Sequence, residues 1–265
     1  MARGMRSGKR LGATLLGCSG AFLAVAAFLP ASAQAQTCAT LATNPTYGLA
    51  GGNPNIIAGT LTTAIVPAAP ASSVTSSSTP DPTPATPAYC QVQFTYTNGL
   101  SGPSGGYDVG VTPKIKINIL LPLNAADGGT GGTVNGGYNG KVMVTGSAGN
   151  STSATAPTTY DEGRNFSQVG YPIRLGMVGA QSDNGNIAQY NPPIINSGPQ
   201  AGQLATGELA DWSYRGTHYA KQWAVSIATT YYGSAPTRVY YNGCSGGGNM
   251  GMPVDRGLLH ARCSM

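Results

Sequence analysis

Charge is what this sequence has least of. Its 265 residues include 14 Lys and Arg and 9 Asp and Glu, 9% of the chain, against roughly 25% in an average soluble domain. That shortage excludes coiled coils, charge-laced helical bundles and charged disordered tails, which all depend on ionised side chains. Histidine is scarcer still, at His218 and His260 alone, and no two cysteines stand close together. A zinc site built from several closely spaced ligands is therefore not expected. What is abundant is glycine, 39 residues, with 19 prolines. The glycines keep no triplet period, so collagen is excluded. A hydrophobic content of 41% still suffices for a core, and the length suits one large domain or two small ones.

The formal charge of +5 comes mostly from one end. Arg3, Arg6, Lys9 and Arg10 precede an apolar run over residues 11–29. Next come Ala31-Ser32-Ala33 and Ala33-Gln34-Ala35, both small-x-small cleavage sites. This is the layout of a secretory signal peptide, expected over residues 1–35. Gly12, Thr14, Gly17, Ser19 and Gly20 dilute the run and weigh against a membrane anchor. Its continuation past Cys18 weighs against lipid attachment there. Removing the segment leaves the charges nearly balanced, with no basic patch for nucleic acid or an anionic membrane. The expected location is secreted or periplasmic. Export makes Cys38, Cys90, Cys244 and Cys263 candidates for disulfides, and four cysteines allow three pairings.

Residues 36–89 read as an N-terminal segment of small turns and strands. It includes a linker over 67–87 made of Ala, Ser, Thr and Pro, too polar to order itself. From residue 90 the strand signals begin. Val92, Phe94 and Tyr96 alternate with polar residues over 91–97, and residues 114–121 pass from alternation to continuous apolarity. Shorter apolar strands are expected at 141–144 and 175–180. The best helix spans about 207–232, where Leu209, Trp212, Gly216, Tyr219, Trp223, Ile227 and Tyr231 form one stripe, stopped by Gly233 and Pro236. A strand at 238–242 follows. Strand, long helix and strand imply a βαβ unit with parallel strands.

Directly after that last strand stands Gly243-Cys244-Ser245-Gly246-Gly247. Gly-x-Ser-x-Gly is the form of a nucleophile elbow, in which a sharp strand-to-helix turn lifts the serine above the sheet. The flanking residues must be tiny so that strand and helix can approach closely. The N–H of Gly246, at a helix N-terminus, can donate to an oxyanion. A second donor belongs in a loop after an earlier strand, and Thr145-Gly146-Ser147-Ala148-Gly149-Asn150 is placed for that. The bland readings are a glycine-rich turn with an idle serine and an ordinary glycine loop.

Over residues 90–252 the order of such pieces resembles the tannase/feruloyl esterase family of α/β-hydrolases, which includes the mono(2-hydroxyethyl) terephthalate hydrolases. The resembling pieces are Pro87-Ala88-Tyr89-Cys90, then Asn139-Gly140-Lys141 with Gly146-x-x-Gly149, then Ser182-Asp183-x-Gly185, where Asn186 stands in place of a His. They continue with Asp211-Trp212-Ser213-Tyr214-Arg215-x-x-His218, Lys221 and Tyr231-Tyr232-Gly233-x-x-Pro236. The most specific is Gly243-Cys244-Ser245-x-Gly247-Gly248, with a Cys just before the nucleophile. The resemblance implies Ser245 as nucleophile, Gly246 with Gly146 or Gly149 as oxyanion donors, and Cys244 as a half-cystine bridged beside a catalytic His. It also implies a Cys38–Cys90 disulfide. In the family a lid inserted after the elbow gives specificity for aromatic acids and carries a calcium site; no cofactor or metal is expected among these 265 residues.

The expected fold is α/β, an α/β-hydrolase fold that is incomplete: mostly parallel sheet, elbow near the C-terminus, lid and later strands missing. Residues 90–265 would be that catalytic domain. The triad order Ser, acid, His calls for groups further along. Asp255 and His260 lie on or just beyond an elbow helix that runs away from the serine, and Pro253 interrupts that helix. His218 reads as a structural histidine. The expected function is a secreted serine carboxylic-ester hydrolase for phenolic or aromatic-acid esters, inactive in this shortened form. Tannin, feruloyl and terephthalate half-esters stay equally open as its small-molecule substrate. The competing reading is a non-catalytic secreted binding or surface protein whose loops mimic an elbow.

Overall fold

The computed structural model describes residues 35–43, 54–70, 85–129, 137–146, 170–185, 194–243, 247–248 and 259–260. The expected signal peptide, apart from Ala35, and the middle of the linker lie outside these residues. In chain order the elements are helix α1 (Cys38–Leu41) and strands β1 (Thr62–Val66), β2 (Tyr89–Tyr96), β3 (Ile115–Pro122) and β4 (Lys141–Thr145). Helix α2 (Gly170–Arg174), strand β5 (Val178–Ser182), helix α3 (Thr206–Ala210), a π-helical turn (Asp211–Arg215) and helix α4 (Gly216–Tyr232) follow. Strands β6 (Arg238–Asn242) and β7 (Leu259–His260) complete the order.

All seven strands join one sheet in the order β1-β2-β3-β5-β4-β6-β7. β2 buries Val92, Phe94 and Tyr96 on one face, as their alternation predicts. β3 is buried almost throughout, because it is central and covered on both faces. The expectation of a mostly parallel sheet is corrected. β1, β2, β3 and β5 pair antiparallel in succession, and only β5-β4, β4-β6 and β6-β7 are parallel. No long helix is described between β1, β2 and β3, so nothing described supplies a parallel crossover there. β1 also brings the N-terminal segment into the sheet, and a boundary at residue 90 falls inside β2. The two ends of the linker meet in an antiparallel bridge, with Ala69 and Thr86 exchanging both backbone bonds at 2.9 Å.

The expected long helix exists, and Gly216, Ile227 and Tyr231 of its expected stripe are buried, but small residues outside that stripe make much of the contact. Ala220, Ala224, Ile227 and Ala228 face the sheet. Small side chains let the helix backbone lie close to β3, β4 and β5, where a row of large aromatics would hold it off. Trp223 and Tyr219 flank the contact instead, against Phe94 (ring centroids 5.2 Å apart) and Tyr96 (4.3 Å). Gly233 ends α4 in the left-handed conformation, φ 72°. The π turn within the same helical run shows in no hydrophobic period. It sits where the Asp211 carboxylate is buried, and such turns admit one extra residue to serve a local contact.

The N-terminal segment is held at two points. Cys38 and Cys90 form a disulfide, Cα–Cα 5.7 Å, as the resemblance implied. Beside it the Asp127 carboxylate accepts from the Cys38 N–H (2.7 Å) and from the Tyr231 hydroxyl (2.5 Å) at the end of α4. A crosslink spanning 52 residues restricts the unfolded chain by about 4 kcal/mol on the chain-entropy argument. The paired substitution Cys38→Ala/Cys90→Ala is expected to lower unfolding free energy by roughly 2–4 kcal/mol. Urea denaturation checks this, and an unchanged midpoint contradicts it.

Candidate functional site

Because β4, β5 and β6 are mutually parallel, their C-terminal ends at Thr145, Ser182 and Asn242 lie along one edge of the sheet. Loops leaving such an edge are where open α/β sheets place their chemistry. The sequence 243–248 leaves β6 at this edge. Gly243 follows the strand directly, and Gly247 and Gly248 already have helical backbone, so a strand and a helix stand on either side of residues 244–246 in the order an elbow requires. Ser245, Cys244 and Gly246 lie between them, outside the described residues, as does Gly149.

The glycines around the turn are needed for space. A Cβ on Gly243 would stand 2.5 Å from the Gly247 carbonyl oxygen. One on Gly146, at the exit of β4, would stand 2.7 Å from the Gly247 Cα and closer still to the Tyr241 hydroxyl. Gly146, Gly243 and Gly247 thus meet backbone to backbone, with the Tyr241 side chain the one large group among them. Gly146 does not have a free donor, however. Its N–H is bonded to the Asn242 carbonyl at 2.9 Å and extends the β4–β6 ladder. The expected oxyanion role of Gly146 is corrected accordingly: it supplies clearance, and an amide from this loop has to come from a residue further along.

A second feature of the same edge lies one strand pair away. A cavity of about 340 Å³ is lined by Tyr107, Lys114, Lys116, Asp183, Glu208 and Asp211 among others. Asp183 follows β5 directly and is wholly buried. Its Oδ1 accepts from the backbone N–H groups of Lys116 (2.9 Å) and Gly185 (3.1 Å), pinning the start of β3 to the turn after β5. Its Oδ2 has no hydrogen-bond partner among the described residues. Burial pushes this carboxyl up to about 6, against the opposing pull of those N–H groups and the Lys116 charge. Asp211 is also raised by burial, opposed by Tyr107, whose hydroxyl donates to Oδ2 at 2.6 Å, and by Arg215 at 3.3 Å. Asn98 donates to the Tyr107 hydroxyl at 2.8 Å and completes the group. Tyr107 carries no signal in the sequence. The nearest hint is an acidic residue, Asp211, at the start of an apolar helical stripe.

His218 sits half-buried in the first turn of α4 with its ring edge-on to Tyr219, centroids 5.8 Å apart. His260 is not where the outgoing helix was expected to carry it. The backbone returns to the sheet at β7, parallel to β6 with His260 in register with Tyr241, so a strand does follow the elbow. Among the described residues no three His, Cys, Asp or Glu side chains converge as a metal would require. No described helix is long and apolar enough to cross a membrane.

With this geometry in view, comparison with known proteins bears on the family. Residues 133–256 match the family of tannase and feruloyl esterase. The matched stretch opens just before β4 and runs past the elbow, taking in Gly146, the Asp183 turn, α4 and Ser245. The likeness read at 87–90 lies outside it. Solved structures similar to the chain include the tannin acyl hydrolase from Aspergillus niger, at 18% identity and TM-score 0.46. Feruloyl esterase B from Aspergillus oryzae is another, at 20% identity and TM-score 0.46. These alignments cover 74% and 77% of this chain but 29% and 32% of those structures, so the chain spans about a third of their length. No curated protein sequence matches it.

Two outcomes follow from the site geometry. Gly146→Ala forces a methyl into backbone and hydroxyl and is expected to cost about 2–4 kcal/mol. Gly248→Ala, whose methyl would meet the Gly243 oxygen at an ordinary 3.6 Å, is expected to stay within about 0.5 kcal/mol. Thermal denaturation of both variants checks the contrast. The second concerns Asp183. Its folded value lies above the ordinary 3.8, so the native state holds the proton more tightly than the unfolded chain. Its contribution then favours folding most below pH 4 and declines as pH rises to about 6, by up to about 3 kcal/mol. In urea titrations Asp183→Asn should therefore gain on wild type between about pH 4 and pH 7. An identical difference at both pH values contradicts the assignment.

Proposed function

We propose that the chain is a secreted serine carboxylic-ester hydrolase with an α/β-hydrolase fold, acting on phenolic or aromatic-acid esters through an acyl-enzyme on Ser245. The observation that carries the reading is the glycine contact at the end of β6. A Cβ on Gly146 or Gly243 would run into the Gly247 backbone, the close approach a tight strand-to-helix turn requires, within a stretch that matches the family. In this reading the Ser245 oxygen attacks the ester carbonyl while its proton passes to a base. The carbonyl π electrons move onto oxygen, and the resulting oxyanion is met by the N–H of Gly246 and an amide of the loop holding Gly149. Collapse expels the alcohol, which takes up the proton. Water then repeats the sequence on the acyl-enzyme and releases the acid.

Cys244, just before the nucleophile, is proposed as a half-cystine that fixes the elbow from below. The acid and base are the weak part of the set. After Ser245 the 265 residues offer Asp255 and His260 alone for those roles, and the reading includes negligible turnover by this chain. The natural ester is left at the level of the class, since the residues that would select among tannin, feruloyl and terephthalate half-esters are not assigned.

The test is direct. A fluorophosphonate probe is expected to label the wild-type chain at Ser245 slowly and Ser245→Ala not at all, read by intact-mass spectrometry. Hydrolysis of p-nitrophenyl acetate or methyl ferulate should be near background. Fast hydrolysis abolished by Ser245→Ala would keep the nucleophile and overturn the slow-turnover part. A wild type that takes no label at all counts against the esterase reading.

A further inference from the structure

We propose that Tyr241 is a positioning residue of this site: through its side-chain hydroxyl it locks the elbow helix, the loop after β4 and the first turn of α4 into one rigid unit. The inference rests on the esterase reading for its catalytic consequence, while the clamp itself stands on geometry. Tyr241 lies on β6 four residues before Ser245, in register with Val144 of β4, and is 3% exposed. Its hydroxyl donates to the Gly247 carbonyl, and the buried Thr217 side chain of α4 is its other polar neighbour. The same oxygen lies where a Cβ on Gly146 would be, and the ring edge lies against Gly243.

One phenol thus meets Gly146, Gly243 and Gly247, the described glycines at which β4, β6 and the following helix come together. The arrangement has a chemical consequence. The Gly146 amide is consumed by the ladder to Asn242, so the oxyanion donors must come from segments flanking Gly146 and Gly247. Oxyanion donors act only when held within about 0.5 Å of the productive geometry, and loss of one costs about 10²–10³ in rate. A phenylalanine would fill the same space and leave the Gly247 carbonyl without that hydroxyl. Loosening without loss of a donor should then reduce rate rather than binding.

The experiment uses the full chain with Tyr241→Phe, and Tyr232→Phe as control. Tyr232 also donates to a buried carbonyl, that of Pro122 at 2.7 Å, but at the opposite edge of the sheet. Two quantities are read: hydrogen exchange of the amides over 146–150 and 243–248, and the rate and affinity constants of fluorophosphonate labelling. The clamp predicts about tenfold faster exchange in both segments for Tyr241→Phe, a labelling rate constant lower by about tenfold and an unchanged probe affinity. Tyr232→Phe should alter neither, although both variants lose thermal stability. Unchanged exchange in the two segments overturns the proposal whatever the labelling shows. An unchanged rate constant in a wild type that does label overturns the catalytic consequence. Faster exchange with a wild type that takes no label supports the clamp and sinks the esterase reading instead. Should Tyr241→Phe not fold, Thr217→Val leaves the ring in place and is expected to loosen the same two segments.

Discussion

Backbone-to-backbone approach at the end of β6 is the constraint on which the site depends. A strand can pass directly into a helix only if the residues on either side of the turn have no side chains to collide. Here that condition reaches beyond the turn, because Gly146 of the neighbouring strand exit touches Gly247 as well. The parallel pairing of β4 with β6 creates the contact, since it brings two C-terminal strand ends to the same edge. α4 then covers the sheet closely through Ala220, Ala224 and Ala228, and its first turn delivers Thr217 to Tyr241. Packing of the helix and geometry of the turn are therefore one problem with one solution.

A chain so poor in charge uses the acids it has in unusual places. Asp127, Asp183 and Asp211 each tie together segments far apart in sequence. Asp127 joins the N-terminal segment to the end of α4, Asp183 joins β3 to the turn after β5, and Asp211 joins the π turn to Tyr107. Buried carboxylates are costly unless they accept several hydrogen bonds. The last two differ in how well that cost is met. Asp211 is ringed by Tyr107, Asn98 and Arg215, whereas Asp183 keeps one oxygen without a partner among the described residues. Burial accordingly raises both, and the half-satisfied one reaches about 6. Both line the same cavity on the edge that carries the elbow, so a strongly polar interior lies beside the candidate chemistry.

Much of the fold is legible in the order of the amino acids. Alternation at Val92, Phe94 and Tyr96 announces β2, and the 238–242 strand ahead of the glycine-rich turn is β6 to the residue. The long helix is legible in its length, in its stop at Gly233 and in part of its face, since Gly216, Ile227 and Tyr231 are buried as expected while Tyr219 and Trp223 are only partly so. Hydrophobic period counts large side chains, whereas close packing on a sheet selects small ones, so the period favours Trp223 and Tyr219 over the alanines that make the contact. The direction of strand pairing is likewise beyond reach for β1, β2 and β3. Direction depends on how connections cross the sheet, and neither the Ala/Ser/Thr/Pro linker between β1 and β2 nor the loop between β2 and β3 carries a signature of it. β7 is unreadable because a two-residue strand has no period.

By itself the sequence determined which residues could form an elbow, Gly243, Ser245 and Gly247, and that Cys38 and Cys90 were candidates for bridging. These are local facts: a turn whose flanking positions are glycine, and a thiol that needs a partner. Only the tertiary structure decided what stands around the turn. It withdrew Gly146 from the donors by closing a ladder bond to Asn242, brought Tyr241 and Thr217 against the turn, and placed Asp183 and Asp211 in one cavity. The physical reason is that hydrogen bonds and contacts between residues far apart in sequence are set by strand order and register. No spacing along the chain encodes either.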